Sequence, residues 1–222
     1  MTKAKKYPHW QELYDRLYAQ YGECTCPLRH DSPFQLLAAV MLLAQCRDER
    51  VNQVTRELFA AAPTAEAMAK LPVDEIARMI RTCGLFDAKS RNLSAAAKMI
   101  VEKFGGEVPR TMEELTELPG IGRKSANVIL GNAFNIPGFP VDTHVRRLLN
   151  RIGAVDDDDP ERIEYAACAV VAPEKWCNFS HLLITHGRQV CHARAPQCDK
   201  CVLNGICAQR GVKTKWVMSQ IL

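Results

Sequence analysis

The stretch Leu118-Pro119-Gly120-Ile121-Gly122-Arg123-Lys124-Ser125-Ala126-Asn127 places a proline and two glycines between two helix-forming segments. Thr111 and Glu114 have the spacing of a capping box, which predicts a short helix over residues 112–118. The proline cannot continue that helix, and the glycines can adopt backbone angles closed to other residues. Good helix formers with apolar residues at helical spacing predict a second helix over residues 123–134.

This turn has the chemistry of a phosphate-binding site. The amides of Gly120, Ile121 and Gly122 are expected to point outward at the N-terminus of the second helix, where a phosphate is favoured. Such a turn is typical of helix-hairpin-helix DNA-binding elements. A glycine-rich turn between two packed helices is the alternative that the stretch alone leaves open.

The composition is that of a globular chain that can bury a core. The 222 residues are 47% hydrophobic and 24% charged, and the formal net charge of +4 permits a polyanionic partner without requiring one. No N-terminal segment has the pattern of a signal peptide, and the longest apolar run, residues 36–44, is too short to span a bilayer. These features predict a cytoplasmic protein with no membrane partner.

Helix signals recur along the chain, and no strand pattern interrupts them, so the predicted fold class is all-α. A helix apolar nearly all round begins at Ser32-Pro33 and is expected to lie inside the core. It ends at Gln45-Cys46-Arg47-Asp48, a polar loop suited to a site. The other expected helices cover residues 8–20, a segment after Asp48, and residues 64–71, 73–83, 90–104, 142–152, 161–171 and 178–187.

Four of the ten cysteines cluster near the C-terminus. Cys191, Cys198, Cys201 and Cys207 are spaced C-x6-C-x2-C-x5-C, which can enclose one metal centre. Zinc and a [4Fe-4S] cluster both accept four thiolates, but the spacing differs from the paired C-x2-C knuckles usual for zinc, so iron-sulfur is favoured. Unrelated buried cysteines have no reason to concentrate in one loop. Cys24 and Cys26 stay unassigned.

Several motifs together resemble the endonuclease III family of DNA glycosylases, which combines a helix-hairpin-helix with an iron-sulfur loop. The similarity covers nearly the whole chain up to about Lys213. Besides the four cysteines, the motifs are Ser32-Pro33-Phe34, Ala44-Gln45 with Asp48, Gly84-Leu85, Gly106-Glu107-Val108-Pro109, Leu118 to Val128, Val141-Asp142-Thr143-His144 and His186-Gly187-Arg188.

The resemblance implies two helical domains with a DNA cleft between them. Residues 27–135 would form a helical barrel domain that includes the helix-hairpin-helix, at about 111–134. Residues 1–26 and 136–222 would form a discontinuous domain holding a [4Fe-4S] cluster on the four cysteines. The implied partner is double-stranded DNA containing damaged bases or abasic sites, bound by a monomer.

The resemblance also implies the catalytic pair. Lys124 corresponds to the family's catalytic lysine and Asp142 to its catalytic aspartate. Cleavage of a glycosidic bond builds positive charge on the deoxyribose, which a carboxylate stabilises. An amine that attacks the anomeric carbon leaves an imine, which permits β-elimination of the 3' phosphate. Each residue has a structural alternative, because Asp142 can serve as a helix cap and Lys124 as a surface charge.

Further residues are implied to handle DNA. A base flipped out of the stack leaves a gap, which Gln45 would fill while Leu85 acts as an apolar wedge. Arg123 and Arg188, together with the turn residues Gly120, Ile121 and Gly122, would meet phosphates, as would Arg194 and Lys200. Packing roles are the alternative for Gln45 and Leu85.

One departure and two rival functions bear on the substrate. Arg47 stands where relatives commonly have a small hydroxyl residue, which leaves the accepted bases open. The related adenine glycosylase lacks the hairpin lysine and uses a glutamate on the early helix, whereas residues 34–44 contain no glutamate here. Excision of oxidised pyrimidines is therefore expected; the alternatives are an adenine or mismatch glycosylase and a weakly catalytic protein that binds damaged DNA.

Overall fold

A computed structural model describes residues 7–212, and all regular secondary structure in that range is helical. The tail from Lys213 lies outside the described residues. The predicted all-α fold is confirmed. The helices are α1 Trp10–Tyr21, α2 Pro33–Leu42, α3 Asp48–Ala61, α4 Ala65–Lys70, α5 Val73–Met79, α6 Phe86–Phe104, α7 Met112–Glu117, α8 Arg123–Phe134, α9 Thr143–Ile152, α10 Pro160–Cys168 and α11 Trp176–Gln189, with short 3-10 helices at Pro173–Lys175 and Cys198–Lys200.

The chain divides into two compact units. One unit is Thr25–Pro140 and contains α2 to α8. The other is discontinuous and joins the residues up to Cys24 with those from Val141 onward. The predicted roles of the two domains, a barrel and a cluster domain, stay predictions. Within residues 7–212, every helix is too short or too polar to cross a membrane.

The core of the Thr25–Pro140 unit is built around α2. Ser32 begins this helix by accepting a hydrogen bond from the Gln35 amide (3.2 Å), and Pro33 occupies its first turn. Every residue from Phe34 to Leu42 is buried, as the all-round apolar sequence predicted. Helices α3, α6 and α8 pack against α2. Each fully buried leucine contributes about 1.5–3 kcal/mol to folding.

The discontinuous unit packs α1 and α9 against α11. Leu13 and Leu17 of α1 are fully buried, and Trp10 and Tyr14 make edge-on ring contacts with Phe179 of α11. Both α9 and α11 carry side chains that hold the cysteine loop, so this packing positions that loop.

In the Thr25–Pro140 unit, three helix boundaries beside two loops differ from the sequence predictions by two to four residues. The helix predicted to reach residue 44 ends at Leu42, the one predicted to reach 83 ends at Met79, and α6 begins at Phe86 instead of residue 90. The loop residues 43–47 and 80–85 contact one another, because a Cβ added at Gly84 would lie 3.3 Å from the Gln45 carbonyl oxygen. The shifted helix ends therefore coincide with a tertiary contact that local sequence signals do not contain. In the other unit, α10 ends at Cys168 instead of residue 171, and α11 covers Trp176–Gln189 instead of 178–187.

Candidate active site and cysteine site

The turn between α7 and α8 needs glycine at one of its two glycine positions. Gly120 has a φ of +85°, and a Cβ there would approach Asn92 Nδ2 to 3.0 Å and Met41 Cε to 3.3 Å. Gly122 has an extended φ of −103° with open space where a Cβ would lie. The expectation that both glycines adopt angles closed to other residues is therefore wrong for Gly122.

The amides of the turn are not all available to a ligand. The Ile121 amide donates to the Leu118 carbonyl (3.0 Å), and the Ile121 side chain is buried. The expectation of three outward amides is wrong for Ile121, because closing the turn uses that donor. The Gly122 carbonyl accepts from the Ala126 amide (3.0 Å), which starts α8. Phosphate binding by Gly120 and Gly122 stays a prediction.

Lys124 is the second residue of α8 and is half-buried. Cys26, of the same unit, interacts electrostatically with both Lys124 and Asp48. Burial raises the pKa of the Cys26 thiol, Asp48 raises it further, and the Lys124 ammonium opposes the shift. Asp48 is itself buried at the first turn of α3. Sequence reasoning did not find this grouping, because nothing in the chain order brings Cys26 to the start of α8. Arg123 precedes Lys124 and is also half-buried.

Asp142 caps α9 and is partly exposed. Its Oδ1 accepts from the amides of His144 and Val145, both at 2.8 Å. Both bonds use the same oxygen, so capping the helix does not occupy Oδ2. Asp142 lies in the discontinuous unit, whereas Lys124 lies in the other, and the catalytic roles of both stay predictions.

Gln45 and Leu85 share an unusual conformation. Both residues have left-handed backbones, with φ of 51° and 60°, and both are exposed, Leu85 to 58%. Left-handed angles are uncommon for residues other than glycine and cost free energy, so the surrounding structure must hold them. The contact between Gly84 and the Gln45 carbonyl brings the two segments together on one surface of this unit.

Lys89 links the end of α2, just before the first loop, to Leu85 of the second loop. Its side chain is buried, and its ammonium donates to the Leu42 carbonyl at the end of α2 (2.8 Å). Its own amide donates to the Leu85 carbonyl (3.0 Å). Burial lowers the pKa of Lys89. Sequence reasoning overlooked this residue, because a lysine in an amphipathic helix gives no sign of being buried.

The four cysteines line one cavity of the discontinuous unit. Arg151, His186 and Leu203 also line it. Burial raises the pKa values of Cys198, Cys201 and Cys207, and the neighbouring cysteines raise them further. Within residues 7–212, no three His, Cys, Asp or Glu side chains are grouped around a single ion position. The four predicted cysteines therefore share one cavity without being grouped around one ion position.

Two arginines of α9 hold the cysteine loop in place. Arg147 Nη2 donates to the carbonyls of Gly187 (3.0 Å) and Cys191 (2.9 Å). Arg151 Nη1 donates to the Cys191 sulfur (3.2 Å) and the His192 carbonyl (2.8 Å). Arg151 is buried, so its charge faces the thiols and not water. A positive charge beside clustered thiolates offsets their mutual repulsion.

His186 links the cavity to α1. Its Nδ1 lies 2.8 Å from the Tyr21 hydroxyl, and its Nε2 lies 3.3 Å from the Cys201 sulfur. Burial lowers the pKa of His186 to about 4, so the ring is neutral at neutral pH. A neutral imidazole donates from one nitrogen only, so a Tyr21 hydroxyl that donates to Nδ1 leaves Nε2–H for the sulfur.

Comparison with known proteins decides the family. Residues 38–173 match the model of the HhH-GPD superfamily of base excision DNA repair proteins. Endonuclease III of Synechocystis sp. is 48% identical over 188 residues, which are 84% of this chain and 86% of that protein. The chain belongs to the endonuclease III family.

Solved structures of endonuclease III share the fold. A non-covalent endonuclease III–DNA complex matches with a TM-score of 0.86 at 38% identity, over 90% of this chain and 94% of that one. A trapped endonuclease III–DNA covalent intermediate matches with the same TM-score, identity and coverage. The superfamily match contains Lys124 and Asp142, whereas the four cysteines lie beyond its end.

Within the endonuclease III fold, the remaining predicted DNA contacts lie on the surface. Arg188 is exposed in the last turn of α11, and Arg194 and Lys200 are exposed in the cysteine loop. Arg47, the departure from the family pattern, is exposed at the N-cap of α3. Arg47 thus belongs to the same loop as Gln45.

Proposed function

We propose that this chain is a bifunctional DNA glycosylase and AP lyase of base excision repair. It excises oxidised pyrimidines from duplex DNA and then cleaves the strand 3' to the abasic site. The main support is the chain-wide similarity to endonuclease III, whose solved structures include a protein trapped covalently on DNA.

In the proposed mechanism, the damaged base leaves the stack before chemistry begins. Gln45 fills the gap and Leu85 wedges beside it. The support is their shared exposure and their left-handed backbones, held by the contact between the two loops and by Lys89. Strained, exposed side chains on a rigid scaffold are suited to entering a duplex, because little further ordering is needed when they bind.

Bond cleavage then uses the two predicted catalytic residues. Asp142 stabilises the positive charge that develops on the sugar through Oδ2, since its other oxygen is fixed by the cap. The neutral Lys124 amine attacks the anomeric carbon, the base leaves, and an imine forms. The imine acidifies the adjacent sugar proton, its loss expels the 3' phosphate, and water releases the lysine.

A [4Fe-4S] cluster on Cys191, Cys198, Cys201 and Cys207 is part of the proposal. The donor set supports it, because four thiols line one cavity with Arg151 beside them, and four cysteine thiolates are the usual ligands of such clusters. When bound, the cluster would fix the shape of the loop that carries Arg194 and Lys200. Iron and zinc content of the purified protein checks this, with iron and a brown colour expected.

Cleavage of labelled duplexes tests the proposed activity. One duplex contains thymine glycol, one a preformed abasic site, and one adenine opposite 8-oxoguanine. Cleavage of the first two, with the third left intact, is expected. Removal of adenine from the third alone, detected as a strand break after hot alkali, would support the adenine glycosylase alternative. Binding to damaged DNA without excision or nicking would refute the enzyme and support the non-catalytic alternative. Light scattering checks the expected monomer.

A further inference from the structure

Two cysteines flank the loops that carry Gln45 and Leu85. Cys46 directly follows Gln45, and Cys83 comes two residues before Leu85. Both are free thiols, and the residues next to them meet, because a Cβ added at Gly84 would lie 3.3 Å from the Gln45 carbonyl oxygen. Cys83 is fully buried, whereas Cys46 is partly exposed. The loops therefore meet at a thiol pair with one accessible member and one protected member.

Two cations lie close to this pair. The buried Lys89 ammonium and Arg50 both interact with Cys83, and Lys89 interacts with Cys46 as well. Burial and the neighbouring Cys46 raise the pKa of Cys83 to about 11, against the effect of both cations. Cys83 thus keeps its proton at neutral pH.

We propose that Cys46 and Cys83 form a peroxide-reactive pair that closes to a disulfide between the two loops. Cys46 reacts first, because it is the exposed member. Its sulfur attacks a peroxide oxygen, an S–O bond forms, the O–O bond breaks, and the leaving oxygen departs as water with the thiol proton.

The buried partner completes the reaction. The Cys83 sulfur attacks the Cys46 sulfenic acid, the S–S bond forms, the S–O bond breaks, and the hydroxyl leaves as water with the Cys83 proton. One peroxide oxidises two thiols and yields two waters. The contact between Gly84 and the Gln45 carbonyl, one residue away from each cysteine, supplies the proximity that this second step needs.

The disulfide would alter the surface that carries Gln45 and Leu85. A disulfide fixes the separation of its two Cα atoms within narrow limits, so closing it resets the loops next to both exposed side chains. This consequence rests on the proposed function, in which those side chains enter DNA. Weaker binding to duplexes with an abasic-site analogue is expected in the oxidised form.

Peptide mapping of the full-length protein tests the bond itself. After hydrogen peroxide, alkylation and trypsin, Cys46 lies in residues 30–47 and Cys83 in residues 82–89. A cross-linked pair of these peptides that dithiothreitol separates is expected. In Cys83→Ala, Cys46 should instead accumulate as a sulfenic acid that dimedone traps. Quantitative alkylation of both cysteines, or crosslinks only to other cysteines, would overturn the proposal.

Binding measurements on reduced and oxidised protein test the consequence. At least a threefold weaker affinity for the abasic-analogue duplex is expected after oxidation, restored by dithiothreitol. The variant with both Cys46→Ala and Cys83→Ala is the control, because any effect of peroxide on other thiols persists in it. Equal affinity of the reduced and disulfide forms would contradict the proposal that the disulfide changes the loops that carry Gln45 and Leu85. Failure of the reduced protein to bind such DNA refutes the proposed function while peptide mapping still reports the bond.

Discussion

At the residue scale, Asp142 shows how one side chain can serve structure and chemistry together. Its Oδ1 satisfies two amides at the start of α9, and Oδ2 is left for a developing positive charge. A capping aspartate is held in one orientation by its own helix, so it meets the substrate without further ordering. The two roles can be separated by substitution, since asparagine caps helices about as well as aspartate.

We expect Asp142→Asn to keep the fold and lose excision. Its free energy of unfolding should fall by no more than about 1 kcal/mol, the value of a charge at a helix N-terminus. Excision of thymine glycol should slow by about 10²- to 10³-fold, because the charge that stabilises the transition state is gone. Urea unfolding and single-turnover excision measure the two effects.

Asp142→Ala is the matched comparison, because it removes the cap and the charge together. It should be less stable than Asp142→Asn by about 1 kcal/mol and equally slow in excision. An Asp142→Asn protein with wild-type excision rates would rule out the assignment of the carboxylate to this residue.

At the element scale, the turn between α7 and α8 contains two glycines that differ in backbone conformation and in their surroundings. Gly120 has a left-handed backbone against Asn92 and Met41, whereas Gly122 has an extended backbone facing open space. The sequence predicted the turn and both helices, because capping and glycine signals are local. It did not distinguish the glycines, since the difference depends on what packs behind the turn.

Gly120→Ala and Gly122→Ala should therefore fail in different ways. We expect Gly120→Ala to lose at least about 1–2 kcal/mol of stability, from the left-handed strain and the close contact with Asn92. Gly122→Ala should unfold within about 1 kcal/mol of wild type but bind duplex DNA more weakly, because its methyl group covers an amide expected to face a phosphate. Wild-type DNA affinity in a folded Gly122→Ala would argue against a phosphate at that amide.

The loops 43–47 and 80–85 have backbone conformations that local sequence signals could not predict. Helix starts at Ser32, Thr111 and Asp142 were predictable because the capping side chain is adjacent in sequence, and the structure contains each cap. The left-handed angles of Gln45 and Leu85 were not predictable, because a contact between distant segments holds them. The resemblance gave these residues their roles without giving their conformation.

The Cys83 thiol should make the stability of these loops depend on alkaline pH. Its pKa is raised to about 11 by burial and by Cys46, while Lys89 and Arg50 oppose the shift. Because the folded pKa lies above the unfolded value of about 8.5, the contribution is complete below pH 8.5 and is lost as the pH rises towards 11.

Reduced wild type and Cys83→Ala provide the measurement. The difference between their free energies of unfolding should shrink as the pH rises from about 8 to 11, whereas lysine and tyrosine titrations cancel in the difference. Urea unfolding in dithiothreitol at several pH values measures it. A difference that stays constant or grows over this interval would contradict the assigned burial of the thiol.

At the scale of the whole molecule, each compact unit carries part of the proposed chemistry. The Thr25–Pro140 unit contains Lys124, the turn and the two loops, and the discontinuous unit contains Asp142, Arg188 and the cysteines. The similarity to endonuclease III extends over both units, and this is why we assign them to one enzymatic activity. No single motif established this activity, because the glycine turn alone was equally compatible with packing between two helices.

The affinity for undamaged duplex DNA should depend on salt through specific arginines. Log Kd should rise linearly with log salt concentration, and Arg123→Ala and Arg188→Ala should each reduce the slope by about 0.9, the value of one lost phosphate contact. Arg162→Ala is the control, because that exposed side chain of α10 is outside the predicted contacts. Fluorescence anisotropy between 50 and 200 mM salt is the measurement; a slope unchanged by both substitutions would exclude these contacts.

The central claim is that one chain removes the base and forms an imine through Lys124. Borohydride reduction during reaction with abasic-site duplex DNA tests it, because the reductant fixes the imine as a stable protein–DNA adduct. Lys98→Gln, at an exposed lysine on α6, is the matched control for Lys124→Gln. We predict an adduct with wild type and Lys98→Gln, mapping to Lys124, and none with Lys124→Gln. An adduct that persists in Lys124→Gln would contradict the claim.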